Sequence, residues 1–193
     1  MDLCRAVAAV IFGDPQSFVG VLVTGSTRFE QLNDRAVDLL LSGDTHTIER
    51  EVNERTTGAG FTFSSPYYYD GMAYFGNETF VRCAEEEKRF GECASLLVCA
   101  KEKTTSLDYV QSHFPPDFIK VGSTNQERTE MLFNGTCNVI AGDRSTLLDI
   151  VTPDDEREFI VGDKFSTKEP LAIVTRSNDR EFSDIINWVL HAL

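Results

Sequence analysis

Basic residues are scarce: 18 lysines and arginines stand against 31 acids in 193 residues, a formal net charge of -13. Such a chain repels a phosphate backbone over any extended contact and offers no polybasic patch to anionic lipid. Nucleic acid and direct membrane insertion are therefore not expected, and no apolar run approaches the roughly 18 to 20 residues needed to span a bilayer. The only histidines, His46, His113 and His191, are too scattered to suggest a metal site or a catalytic base, and no pair among the five cysteines has metal-ligand spacing. No metal and no cofactor is expected. Repeats, low-complexity tracts and linkers are also missing, so the chain folds as one unit or as two closely coupled lobes.

What is present is 41% hydrophobic content, enough for one large core or two smaller ones. In the opening "MDLCRAVAAVIFGDP", Ala6 to Phe12 imitates the apolar part of a signal peptide, but Asp2 spoils the basic lead-in and no small-residue cleavage site follows. Leu3, Ala6, Val7, Val10 and Ile11 instead share one helical face, and Gly13, Asp14 and Pro15 stop the helix. Five cysteines, Cys4, Cys83, Cys93, Cys99 and Cys137, favour an oxidising compartment. The sequons at Asn77 and Asn134 agree with a secretory route and mark those asparagines as candidate glycosylation sites.

Apolar strand-like runs alternate with helical patterns. Val19 to Val23 is followed by a short helix near Phe29 and Leu32, then by Val37 to Leu41. Later come Leu96 to Cys99, a helix from Thr104, Ile119 to Val121, a helix from Thr124, and Val139 to Ala141. That alternation predicts an α/β fold of mainly parallel sheets with covering helices. A last helix carries Phe182, Ile185, Ile186, Val189, Leu190 and Leu193 on one face, with Trp188 beside that stripe as packing. "PYYYDGMAYF", Pro66 to Phe75, reads either as an ordinary hairpin or as the crossing between two lobes. "CAEEEKRFGEC", Cys83 to Cys93, reads as a solvated surface helix or loop closed by a local disulfide.

"SGDTHTIER", Ser42 to Arg50, packs hydroxyls, a histidine, acids and an arginine behind the apolar "VDLLL". One reading is a helix start capped by Thr47, with Arg50 solvated; the other is an anion site of hydroxyls, free N–H groups and a guanidinium. Three further segments, "KEKTTSLDY", "AGDRS" and "TKEPLAIV", also fall near expected strand ends, where open α/β sheets bind ligands.

The segments "DLCRAVAAVIFGD", "YYDG", "KTTS", "NGTCNVIAGDRS", "KEPLA" and "INWVLHAL" carry a resemblance, in order and over nearly the whole chain. They resemble the periplasmic amino-acid-binding proteins of ABC transporters, most closely the general L-amino-acid-binding branch. The resemblance implies type II periplasmic-binding-protein architecture, two lobes joined by a two-strand hinge with an amino acid in the cleft between them. It implies lobe one at 1–74 and 172–193 and lobe two at 75–171. It also implies ligand roles. Arg50 would clamp the α-carboxylate, Thr45 would donate to the same group, and Gly43 would offer its carbonyl to the ammonium. Thr104 and Thr105 would open a helix toward the carboxylate, and Asp143 would pair with the ammonium. Arginine's planar fork suits a carboxylate, and a glycine admits close backbone approach. Without the resemblance, Thr104 and Asp143 read as plain helix caps.

The resemblance also implies a Cys99–Cys137 disulfide; Cys83 is expected to pair with Cys93, leaving Cys4 free. The expected partner besides the amino acid is a membrane transporter or receptor, and the expected location is periplasmic or secreted. There are departures. Lys103 stands where the family usually has glycine, and Asn138 where aspartate is common. The family also places a β-strand before the helix that begins near Leu3, and a continuation after Leu193. Either the chain is a fragment or its first sheet is completed in another way. Two other functional classes stay open: a sensory or interaction domain that has lost its ligand, and a dehydratase-like enzyme, for which only Asp44, His46 and Glu49 are placed to act as acid or base.

Overall fold

The computed structural model describes residues 2–150 and 158–193. In chain order the elements are α1 (Asp2–Phe12), α2 (Arg28–Asn33), β1 (Leu39–Thr45), α3 (Ile48–Val52), β2 (Phe61–Phe63), β3 (Tyr68–Asp70), β4 (Met72–Asn77) and α4 (Glu78–Glu85). There follow β5 (Val98–Lys101), α5 (Thr105–His113), β6 (Ile119–Gly122), α6 (Asn125–Phe133), β7 (Val139–Asp143), α7 (Arg144–Leu148), β8 (Phe159–Val161), β9 (Glu169–Arg176) and α8 (Arg180–His191). Two compact units emerge, Met1–Tyr69 with Pro170–Leu193, and Asp70–Glu169. The chain passes between them a few residues earlier than the expected crossings at 74 and 171.

In the first unit β9 is the central strand, with β1 and β2 on either side, both antiparallel to it. This sheet therefore departs from the mainly parallel pattern expected, because its middle strand is the returning chain and runs against its neighbours. Successive residues of β9 serve opposite faces. Val174 joins Phe29, Leu32, Leu40 and Phe61, whereas Ile173 joins Val7, Ile186 and Val189 from α1 and α8. α1 forms as its periodicity predicts and ends at Gly13, whose left-handed φ of 72° lets its N–H return to the Ala9 carbonyl at 2.9 Å. Only part of its stripe is covered, since Val10 and Ile11 lie exposed. Val19 to Val23, expected as a strand, is none. Val19 and Leu22 are exposed, so the segment buries too little apolar surface to offset the entropy of ordering it.

The second unit has strand order β6-β5-β7-β4-β8. β5 runs parallel to β6 and β7, as the alternating pattern predicts, whereas β4 is antiparallel to β7 and β8. Both faces are covered, which explains the continuous apolar runs. Tyr74, Val98, Ala100, Val139 and Ala141 face one core; Phe75, Cys99 and Ile140 face the other. β3 and β4 do not form a hairpin with each other: β3 pairs with β9 and β4 with β7 and β8. Cys83 of α4 bonds Cys93 across the charged loop, and Cys99 of β5 bonds Cys137 just before β7. Cys4 is free. Among the described residues no helix is long and apolar enough to cross a membrane.

Candidate functional site

In the first unit the polar stretch that ends β1 and runs into α3 is built from the backbone outward. The β1–β9 register slips between Leu40 and Asp44, and Gly43 sits in that irregularity with φ at 73°. What glycine contributes here is the left-handed conformation. A Cβ at this position would meet nothing within 4 Å, so the close approach expected of it is not the reason for the glycine. The slip turns Asp44 and Thr45 inward, and both are buried.

Thr47 caps α3, its hydroxyl accepting from the Arg50 N–H at 3.3 Å. The helix-start reading of this stretch is thus realised, but without its solvated arginine. Arg50 is 8% exposed, its Nη1 donates to the Thr45 carbonyl at 2.7 Å, and its guanidinium lies 5.6 Å from the Phe29 ring centre. Gly43, Thr45 and Arg50 are therefore brought together at one strand end. Burying a guanidinium is expensive unless it serves a partner or a ligand.

Sequence reasoning missed Arg28. It lies buried beside this group, its Nε donating to the Asp44 carboxylate at 2.5 Å, with Ser42 donating to the other carboxylate oxygen. Asp44 is thereby committed to structure. Glu49 is held by Arg55 through Nε at 2.8 Å and Nη2 at 2.7 Å, and that pairing keeps its carboxyl below the usual carboxylate range. His46 bonds Glu51 at 2.8 Å and stacks on Phe63 with ring centres 4.6 Å apart. Each residue proposed for acid–base chemistry already has a structural partner.

In the second unit, Thr104 and Thr105 follow β5 and Asp143 ends β7. Thr104 is the N-cap of α5. Its hydroxyl accepts from the Leu107 N–H at 3.2 Å and donates to the Lys101 carbonyl at 2.7 Å, so what it can still offer is backbone. The Thr105 hydroxyl donates to Glu169 at 2.9 Å. Lys103 has φ at 54°, which gives a physical reason for the glycine usual in the resembled family. Asn138 accepts from the Leu97 N–H at 2.7 Å through its side-chain oxygen, a role that an aspartate would fill equally.

Asp143 occupies the cap position of α7 but makes no capping bond, and among the described residues its carboxylate accepts no hydrogen bond. Burial, followed by the charges of Glu169 and Asp70, raises its pKa to about 6 against the opposing pull of Arg128 and Lys101. Asp70 is itself engaged, accepting from the Ser145 hydroxyl and N–H and from the Gly71 N–H. Asp70 and Glu169 belong to motifs that carried the resemblance; Arg128 gave no signal, since an arginine in a polar helix reads as solvated.

The sequons have local structural roles. The Asn77 side chain accepts from the Thr79 N–H to cap α4, and that of Asn134 accepts from the Thr136 N–H and hydroxyl.

No family model matches the sequence. The general L-amino acid-binding periplasmic protein AapJ of Rhizobium johnstonii is 28% identical over 198 residues, covering 100% of this chain and 55% of that protein. A periplasmic binding protein of an ABC transporter from Brucella ovis, solved with glutathione bound, aligns with a TM-score of 0.77 at 26% identity, over 97% of this chain and 58% of that one. The Neisseria gonorrhoeae solute receptor for L-cysteine gives a TM-score of 0.80 at 19% identity, over 99% and 72% of the two chains, a likeness of fold. The chain thus spans about half the length of the curated relatives it matches. The resemblance stated from the motifs holds from end to end of this chain, and the α/β fold is that of type II periplasmic binding proteins. These bacterial relatives add nothing in favour of glycosylation at Asn77 or Asn134.

Proposed function

We propose that this chain is a binding module for a free α-amino acid, working outside the cytoplasm for an ABC transporter or a related receptor, without catalysis. Arg50 and Thr45 take the ligand's carboxylate, together with backbone N–H groups at Thr104 and Thr105 where α5 begins. Asp143 takes the ammonium, and the Gly43 carbonyl adds an acceptor for it. The observation that carries this reading is Asp143: a part-buried carboxylate at the end of β7 that accepts no hydrogen bond from the described residues, where burial, and then the like charges of Glu169 and Asp70, make its ionisation costly. A bound cation would relieve that cost. Two disulfides suit an oxidising compartment. Asp44, His46 and Glu49 are each engaged by a structural partner, which supports binding over chemistry.

The test is calorimetric titration with a panel of L-amino acids. Binding that disappears in both Arg50→Ala and Asp143→Asn supports the reading. No binding to the wild-type chain favours an interaction domain that keeps the fold, and turnover of a prephenate-like substrate favours an enzyme.

A further inference from the structure

Arg128 is the most deeply buried cation among the described residues that the assigned roles leave unexplained: it is 3% exposed, on α6, in the second unit. Its Nη1 donates to the Ala141 carbonyl at 2.6 Å, while Nε finds no hydrogen-bond partner among the described residues. The guanidinium packs against β7 at Gly142, which leaves room for it. A Cβ on Gly142 would stand 2.5 Å from Nη1 and 3.3 Å from Cζ and Nη2. Gly142 directly precedes Asp143. A neutral donor would satisfy the Ala141 carbonyl, so the hydrogen bond does not account for the charge, and desolvating a guanidinium is costly.

We propose that Arg128 is a positioning residue for ligand binding: lying along Gly142, it fixes the end of β7 and keeps the Asp143 carboxylate anionic to receive the ligand's ammonium. This rests on the reading of Asp143 given above. The charged groups acting on Asp143 are Glu169 of β9 and Asp70 of β3, which oppose its ionisation, and Arg128 of α6 and Lys101 of β5, which favour it. Burial depresses the pKa of Arg128 itself to about 10, which leaves it fully cationic near neutrality. Its influence on Asp143 therefore persists across the pH range in which that acid titrates.

The experiment follows the Asp143 carboxyl carbon by NMR against pH in the ligand-free chain, its signal assigned with Asp143→Asn, alongside amino-acid affinity over the same range. Removing a neighbouring opposite charge moves a carboxyl by one unit or more, so Arg128→Met is expected to raise the Asp143 midpoint by about one unit. The acid limb of the affinity profile should move with it. Arg128→Lys should stay close to wild type. Gly142→Ala, which preserves every charge but displaces the guanidinium, should raise the midpoint in the same direction and keeps the test available if Arg128→Met does not fold. An unchanged midpoint in whichever of these two variants folds overturns the proposal. If the wild type binds no amino acid, the ligand reading alone fails, and the NMR midpoint still decides the influence of Arg128 on Asp143.

Discussion

The Arg28 guanidinium and the Asp44 carboxylate meet at 2.5 Å with almost no solvent exposure, tying α2 to the end of β1 just before Thr45. Two charges withdrawn from water tolerate each other well, but either one alone is severely penalised. Arg28→Ala is expected to destabilise the chain by about 3 to 5 kcal/mol, and Asp44→Ala by a similar amount. The double replacement Arg28→Ala with Asp44→Ala should cost much less than the sum of the two, because neither charge is then left buried alone. Denaturant unfolding of the four proteins in a double-mutant cycle measures the coupling. Additive losses would mean that the pair does not act as a unit.

The two disulfides close loops of different length, with sequence separations of 10 for Cys83–Cys93 and 38 for Cys99–Cys137. Loop-closure entropy assigns about 2.7 kcal/mol to the shorter and about 4 kcal/mol to the longer. Replacing Cys99 and Cys137 together by alanine should therefore lower stability more than replacing Cys83 and Cys93. Cys99 is also fully buried between packed strands, so its alanine leaves a small void that adds to the loss. Thermal melts of the two double mutants under oxidising conditions rank them, and the reverse order would count against this account.

Lys103 holds a left-handed conformation that costs an ordinary residue roughly 1 kcal/mol or more relative to glycine. Lys103→Gly is accordingly expected to stabilise the fold, by about 0.5 to 1 kcal/mol once the extra freedom of the unfolded chain is subtracted. Gly43→Ala should do the opposite, because its φ of 73° is equally unsuited to a side chain although space is open around it. Comparing both urea midpoints with wild type checks the pair of signs.

How much of this was legible in the sequence depended on whether local pattern and tertiary partner agreed. β5, β6, β7 and the helices capped by Thr104 and Thr124 follow from apolar runs and cap residues, because these elements are buried on the faces that the pattern marks. The polarity of "SGDTHTIER" left two readings of Arg50, solvated or held in an anion site, and only the fold shows that the side chain is buried. Val19 to Val23 misled because a β-branched run specifies a strand only when a neighbour pairs with it. The antiparallel first sheet was invisible since order in the chain does not reveal which strand lies in the middle. Arg28 and Arg128 escaped notice for a common reason: arginine is read as solvated unless geometry shows its guanidinium buried, against a carboxylate for Arg28 and against backbone for Arg128.

Asp143 sets ligand binding against stability. Burial and neighbouring carboxylates raise its pKa from the ordinary aspartate range, about 4, to about 6 on folding, so the folded state holds the proton more tightly than the unfolded one. Stability is undiminished below about pH 4, falls between about pH 4 and 6, and stays lowered above that, by up to roughly 3 kcal/mol for a shift of this size. Asp143→Asn removes the titrating charge at nearly constant volume. The variant should match wild type in stability at pH 4 and exceed it at pH 7.5, while losing amino-acid binding because a neutral amide cannot answer an ammonium. Unfolding curves at the two pH values, with calorimetry at the higher one, test both halves. A variant that is less stable than wild type at pH 7.5 would show that the carboxylate supports the fold, and Asp143 would then lose its place as the ligand's partner.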